Sequence, residues 1–216
     1  MIYPVQPKEE KRHSVVLLVG PTGFGKTPLG QLMEERGLWG LCCLHFDFGQ
    51  ELRQSIREGS HVLSDAEREL VARMLRTGAL LEDKHFPVAL KIFQGFLTSH
   101  KADKRTLIIL NGLPRHIGQA EHMQEVVRMM AVISLKCTPE TVMQRISMDV
   151  GGDRAGRLDD SLEELKRKLE LFRQRTAPLV DYYRSRHIGI ISVEVEPSSN
   201  AADMLEKIEH FRELSR

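Results

Sequence analysis

The chain has 216 residues, with 31 Lys and Arg against 30 Asp and Glu and a formal net charge of +1. That length suits one ordinary domain with a small insertion, and the balanced charge argues against bulk attraction to nucleic acid or a membrane surface. The longest apolar run, Val15–Val19, is far too short to span a bilayer, and no leader is expected ahead of it. Cys42, Cys43 and Cys137 lack C-x-x-C spacing and sit in apolar, strand-like surroundings. They are expected to be reduced core thiols in a cytoplasmic protein, not disulfides, metal ligands or nucleophiles.

Residues 1–13, with Pro4, Pro7 and a charged KEEKR run, read as an N-terminal arm without chemistry. A β-branched strand over 14–19 follows. It leads into Gly20-Pro21-Thr22-Gly23-Phe24-Gly25-Lys26-Thr27, which has the form G-x-x-x-x-G-K-T, and then a helix carrying Leu29, Leu32 and Met33 to about Arg36. That strand–loop–helix context marks a phosphate-binding loop; the plain alternative is a glycine-rich turn with no ligand. The glycines let backbone N–H groups turn inward around an anion, at the positive end of the new helix. Lys26 would reach the β- and γ-phosphates of ATP as donor, and the Thr27 hydroxyl would ligate Mg²⁺. Pro28 is compatible with a first helical turn, where its N–H is not needed.

A second strand is expected over Leu41–Phe46, after Gly37 and Gly40. From Gly49 to His100 the pattern is helical: Gln50–Glu58, a helix opened by the S-x-x-E signal at Ser64 and stopped at Gly78, and a helix over roughly 83–99. Strand Thr106–Leu110, helix Ile117–Met129, strand Ala131–Cys137 and helix Pro139–Met148 come next. A glycine-rich loop over Val150–Gly156, a long helix from Asp160 to about Arg186, strand Ile188–Val193 and a closing helix near Ala201–Leu214 complete the chain. Five strands alternating with helices predict an α/β fold, a mostly parallel sheet with helices on both faces.

Five segments, in order, resemble the adenylate kinase and nucleoside monophosphate kinase family. They are Gly20–Thr27; His45-Phe46-Asp47-Phe48-Gly49-Gln50-Glu51-Leu52-Arg53; Asn111-Gly112-Leu113-Pro114-Arg115 with Gln119; Gly156-Arg157-Leu158-Asp159-Asp160; and Thr176-Ala177-Pro178-Leu179-Val180-Asp181-Tyr182-Tyr183. The resemblance implies a P-loop NTPase three-layer sandwich around a five-stranded parallel sheet. It implies a core domain of residues 14–47, 99–147 and 158–216, a helical monophosphate-binding insertion at 48–98, and a short lid at 148–157 without the zinc-bearing long form. It further implies a phosphotransferase that moves the γ-phosphoryl group of ATP to a nucleoside monophosphate, AMP foremost, with Mg²⁺. It would act as a monomer whose partners are its nucleotides.

Roles follow residue by residue. Gly20, Thr22, Gly23, Phe24, Gly25, Lys26 and Thr27 would hold the donor phosphates, with Arg145 against the donor base. Arg53 and Arg115 would grip the acceptor phosphate beside Phe48, Gly49 and Gly112, and Gln119 would read the acceptor base beside the wall Gly78–Leu81, which ends in Leu81. Arg157, Arg154 and Lys168 would join Lys26 and Arg115 at the transferring group. Arginine suits these places because its planar fork donates in pairs to phosphate oxygens.

The departures from the family pattern are as specific. Asn111 stands where an acid is usual, Asp149 where a phosphate-binding arginine is usual, and Lys168 keeps the charge of an arginine without its fork. Phe48 replaces a base-reading Thr, Gln50 an Asp, and Pro197 falls near a usual Gly. Asp47, where Ser is usual, is either a carboxylate near the metal or a helix N-cap. Asp149 either turns outward, leaving Arg154 and Arg157 to face the phosphates, or pairs with Arg154. Two other functions stay open on these grounds: a catalytically weak nucleotide-binding protein, supported by Asn111 and Asp149, and a P-loop kinase with another small-molecule acceptor, supported by Phe48.

Overall fold

The first strand sets the architecture. β1 (His13–Val19) is buried at every position from Val15 to Val19, and successive side chains of a strand point to opposite faces. Val15, Leu17 and Val19 enter one apolar cluster and Val16 and Leu18 a second, so both faces must be covered. The computed structural model describes residues 12–57, 61–138, 141, 144–145 and 162–214. β2 (Cys43–Asp47), β3 (Leu107–Asn111), β4 (Val127–Lys136) and β5 (Gly189–Glu194) join β1 in one parallel sheet, in the order β2–β3–β1–β4–β5.

One face is covered by α1 (Lys26–Arg36), through Leu29 and Met33, and by α8 (Ala201–Leu214), through Met204, Leu205 and Ile208. The other face is covered by α2 (Phe48–Ser55), α3 (Asp65–Thr77), α4 (Phe86–Ser99), α5 (Ile117–Met123) and α7 (Leu179–Ser185). This is the expected three-layer α/β sandwich. α2, α3 and α4 all lie between β2 and β3, with a 3₁₀ turn at Asp83–His85 leading into α4. The Ser64 signal forms a complete capping box with Glu67, and Gly78 ends α3 in the left-handed region.

Three expectations need correction. The helix expected over Ile117–Met129 stops at Met123, and β4 already begins at Val127. Val127 is buried while Arg128 and Met130 are exposed, the alternation of a strand, and a bulge between the partners of Val15 and Val16 absorbs Met130. The long final helix is broken: α6 (Leu162–Leu171) passes through a π-helical turn, Phe172–Thr176, before α7. Pro178 has no N–H and its ring would crowd the carbonyl one turn back; the wider turn closes instead with Ala177 N–H donating to Phe172 O at 2.8 Å. Of the three free cysteines only Cys43 is a core residue, since Cys42 faces outward and Cys137 is half-buried. No helix among the described residues is long and apolar enough to cross a membrane.

Candidate active site

All the site chemistry stands at the carboxyl ends of β1, β2 and β3, where an open α/β sheet leaves a crevice. β1 delivers the phosphate loop. Gly23 and Gly25 have φ of 87° and 78°, where side chains are strained, and a Cβ on Gly25 would also lie 3.2 Å from Met204 Cε. Gly25 directly precedes α1, so Lys26 and Thr27 occupy its first turn with the unpaired N–H groups. Lys26 Nζ donates to Pro21 O at 2.6 Å, folding the side chain back over the loop. Phe24 differs from its neighbours in the loop. Its ring is buried in the core, so it can serve a phosphate only through its backbone.

β2 and β3 end side by side, with Asp47 paired to Asn111 in register. Asp47 uses its two oxygens differently. Oδ1 accepts from Gln50 N at 3.0 Å and caps α2; Oδ2 accepts from the Thr27 hydroxyl at 2.7 Å and from Asn111 Nδ2 at 3.0 Å. The same Asn111 nitrogen donates to Thr27 Oγ1 at 3.1 Å, closing a triangle. The cap is thus present, and it leaves one carboxylate oxygen turned to Thr27.

Arg53 of α2 lies across the first turn of its own helix. A Cβ on Gly49 would stand 3.7 and 3.9 Å from its two terminal nitrogens and 3.3 Å from Asp47 Oδ1. Arg115 is anchored at both backbone ends: its N–H donates to Gln119 Oε1 at 2.8 Å, and its carbonyl accepts from Thr176 Oγ1 at 2.8 Å. Burial pulls the Arg115 guanidinium below its ordinary pKa, with the Asp47 carboxylate opposing. It stays charged nonetheless, since arginine titrates so high.

Four of the expected site residues make protein contacts outside the lining of the cleft described below. Gln119 is 1 % exposed and its amide is engaged twice, accepting from Arg115 N and donating from Nε2 to Leu81 O at 2.7 Å. The Leu81 carbonyl also meets His116 Nε2 at 3.0 Å, and its side chain is in the core. Gln119 and Leu81 therefore join α5 to the segment between α3 and α4. Phe48 is a core residue packed with Phe46 at 6.0 Å between ring centres. Arg145, 3 % exposed, donates from Nη1 to the carbonyls of Glu196, Pro197 and Ser199 at 2.8, 3.3 and 2.7 Å, and from Nε to Gly23 O at 3.5 Å. It fastens the segment after β5 to the phosphate loop.

One cleft gathers the remaining described residues: Gly20, Thr22, Gly23, Gly25, Lys26 and Thr27 on one wall, and Gly49, Arg53, Gly112 and Arg115 on another. Lys168 of α6 closes a third side with Phe172 and Thr176 of the π-turn. Arg154, Arg157, Asp149 and the lid at 148–157 lie outside the described residues. Phe172 and Thr176 escaped the sequence reading as cleft residues; the Thr-Ala-Pro segment was a signal for the helix, and only the broken helix turns Thr176 onto Arg115. Arg175 of the same turn pairs with Glu82 at 3.1 Å and holds that carboxyl below its usual range.

A loop that can wrap an anion, a lysine in its first helical turn, and two arginines plus a second lysine around one cleft form an arrangement for handling phosphate groups. Comparison with known proteins agrees. Residues 18–188 match the family described as adenylate kinase. The chain is 30% identical over 197 residues to an adenylate kinase of Prochlorococcus marinus (strain MIT 9211), spanning 88% of this chain and 92% of that protein. It is 30% identical over 192 residues to one from Synechococcus sp. (strain WH7803), covering 86% and 92%. Against one from Stenotrophomonas maltophilia (strain R551-3) it is 31% identical over 177 residues, covering 79% and 86%. The chain belongs to the adenylate kinase family and is a phosphotransferase.

Proposed function

We propose that this chain transfers the γ-phosphoryl group of ATP to a nucleoside monophosphate, AMP foremost, in a reversible Mg²⁺-dependent reaction. The observation that carries this reading is the single cleft in which Lys26 and Thr27 face Arg53, Arg115 and Lys168. Phosphoryl transfer needs little covalent help from protein; it needs in-line positioning and cations where the equatorial oxygens carry charge. Lys26 Nζ exchanges the Pro21 carbonyl for donor phosphate oxygens. Arg115, fixed by its two backbone anchors, presents its fork to the acceptor phosphate, with Arg53 beside it and Lys168 at the transferring group. Arg157 bridges the phosphate chains, Arg154 supplies a further cation, and the lid at 148–157 closes over them to exclude water. Residues 48–98 act as the acceptor-binding insertion on the core.

The residues present fit Mg²⁺. Thr27 Oγ1 and Asp47 Oδ2 are hard oxygen donors at the end of the phosphate loop. Among the described residues no three His, Cys, Asp or Glu gather into a metal site, so phosphates and waters supply the rest of the shell. Bound there, Mg²⁺ neutralises charge on the β- and γ-phosphate oxygens. One chain carries both nucleotide sites, which supports action as a monomer. Free thiols at all three cysteines suit the cytoplasm.

A second reading of the acceptor rests on Gln119. With its amide engaged by Arg115 and Leu81, the acceptor is gripped by its phosphate more than by its base, and selectivity among monophosphates is weak. A coupled assay of ATP against AMP, CMP, UMP, GMP and dTMP tests both. Turnover highest with AMP supports the leading reading, near-equal turnover supports the second, and no turnover with any of them refutes both.

A further inference from the structure

P-loop enzymes of this kind generally place one acidic residue beside the hydroxyl of the loop's Ser or Thr, where it orders the metal. In this chain the residue ending the strand next to β1 is Asn111, a neutral amide. The only carboxylate hydrogen-bonded to Thr27 among the described residues comes from the strand beyond, at Asp47. We propose that Asp47, on β2, is the metal-positioning carboxylate of this site and that Asn111, on β3, is its matched partner. The proposal deepens the functional reading above and rests on it.

The hydrogen-bond count argues for the match. The Thr27 hydroxyl has one hydrogen, and it goes to Asp47 Oδ2 at 2.7 Å. The Asn111 amide nitrogen faces both oxygens, Asp47 Oδ2 at 3.0 Å and Thr27 Oγ1 at 3.1 Å. The acid of the triangle is held by two neutral donors, with the Arg115 guanidinium acting on it through space. A second acid at residue 111 would put two carboxylates about 3 Å apart, which repel strongly. An amide there instead donates to the acid, so the presence of Asn at 111 follows from that of Asp at 47. The other oxygen of Asp47 caps α2 through Gln50 N, which fixes the orientation of the carboxylate on a rigid helix start. Thr27 and Asp47 therefore offer a preformed pair of oxygens, one neutral and one anionic, at the edge of the phosphate loop. A carboxylate and a hydroxyl suit Mg²⁺, which keeps several waters and takes one or two protein ligands beside phosphates.

The test is the effect of metal on ATP binding, read by thermal melting and by Mn²⁺ titration followed by electron paramagnetic resonance. Three proteins are compared: wild type, Asp47→Asn, and the exchange Asp47→Asn with Asn111→Asp. Asn caps a helix as well as Asp, so the fold and α2 are preserved, and melts without ligand check this. In Asp47→Asn the Mn²⁺ affinity of the ATP complex falls about 10–100-fold, the range for lost partners near a metal, while ATP without metal raises the melting temperature as in wild type. The exchange restores one carboxylate and recovers most of that affinity. Unchanged Mn²⁺ affinity in Asp47→Asn overturns the proposal. So does an exchange variant no better than the single one in a fold that melts normally, since the pairing of the two positions would then be wrong. A wild type that gains no stability from ATP even without metal would strike the phosphate-loop reading itself, and Asp47 with it.

Discussion

Arg145→Ala separates what the structure shows of this residue from what its sequence position implies. The guanidinium is buried and holds two close carbonyls, Glu196 O at 2.8 Å and Ser199 O at 2.7 Å, besides longer contacts to Pro197 and Gly23. A hydrogen bond to a charged group contributes about 1.5–3 kcal/mol, and truncation leaves the carbonyls unsatisfied. Counting only the two short bonds, Arg145→Ala should destabilise the fold by roughly 3–6 kcal/mol. In a chain of this size each kcal/mol lowers Tm by roughly 2–4 °C, so the melt should fall by roughly 6–24 °C without any nucleotide present. Arg145→Lys should recover part of this, because an ammonium keeps the charge but not the fork that reaches several carbonyls at once. Differential scanning calorimetry on the ligand-free proteins gives the answer. A Tm within about 1 °C of wild type, with only ATP affinity reduced, would refute the clamp and leave donor-base contact as the residue's role.

Two other outcomes follow from the geometry. Arg115→Ala should lower kcat/KM for the acceptor by about 10²–10³, the usual effect of removing one donor to a developing charge, and Arg115→Lys should recover little of it because paired donation is lost; steady-state kinetics with AMP varied would contradict this if the Lys variant matched wild type. Iodoacetamide at pH 8 should modify exposed Cys42 first, because burial pushes the Cys43 thiol up to about 12 and the Cys137 thiol up to about 11, and only the thiolate reacts; peptide mass spectrometry showing Cys43 labelled as fast as Cys42 would refute the burial assigned to β2.

Most of the sheet was legible because β1 must bury both faces and the later strands carry apolar runs between helical patterns. The P-loop was legible because its spacing is a backbone requirement. The boundary at Val127 was not, since Val126–Met130 satisfies a helical period as well as an alternating one, and only pairing with His13–Val16 decides between them. The π-turn was readable in principle from Pro178, but the turn width depends on Thr176 reaching the Arg115 carbonyl across 61 residues of chain. The Arg145 clamp was invisible for the same reason, as its carbonyl partners after β5 are 51 to 54 residues away and Gly23 is 122 away. Phe48 and Gln119 were assigned by position within motifs. Their burial, with Phe46 and beneath Leu81, belongs to tertiary packing that a motif does not encode. Asp47 lay between these cases: its sequence position allowed a cap or a metal-side acid, and its two oxygens make the cap compatible with the other role.

The most direct test of phosphoryl transfer in this cleft is a ³¹P NMR time course of ATP, AMP and Mg²⁺ with the wild-type chain and with Lys26→Ala. The ADP resonances should grow with wild type while ATP and AMP fall in equal amounts, and Lys26→Ala, melting as wild type does without ligand, should leave the spectrum unchanged. Release of inorganic phosphate without loss of AMP, or equal ADP formation by the two proteins, would contradict such transfer.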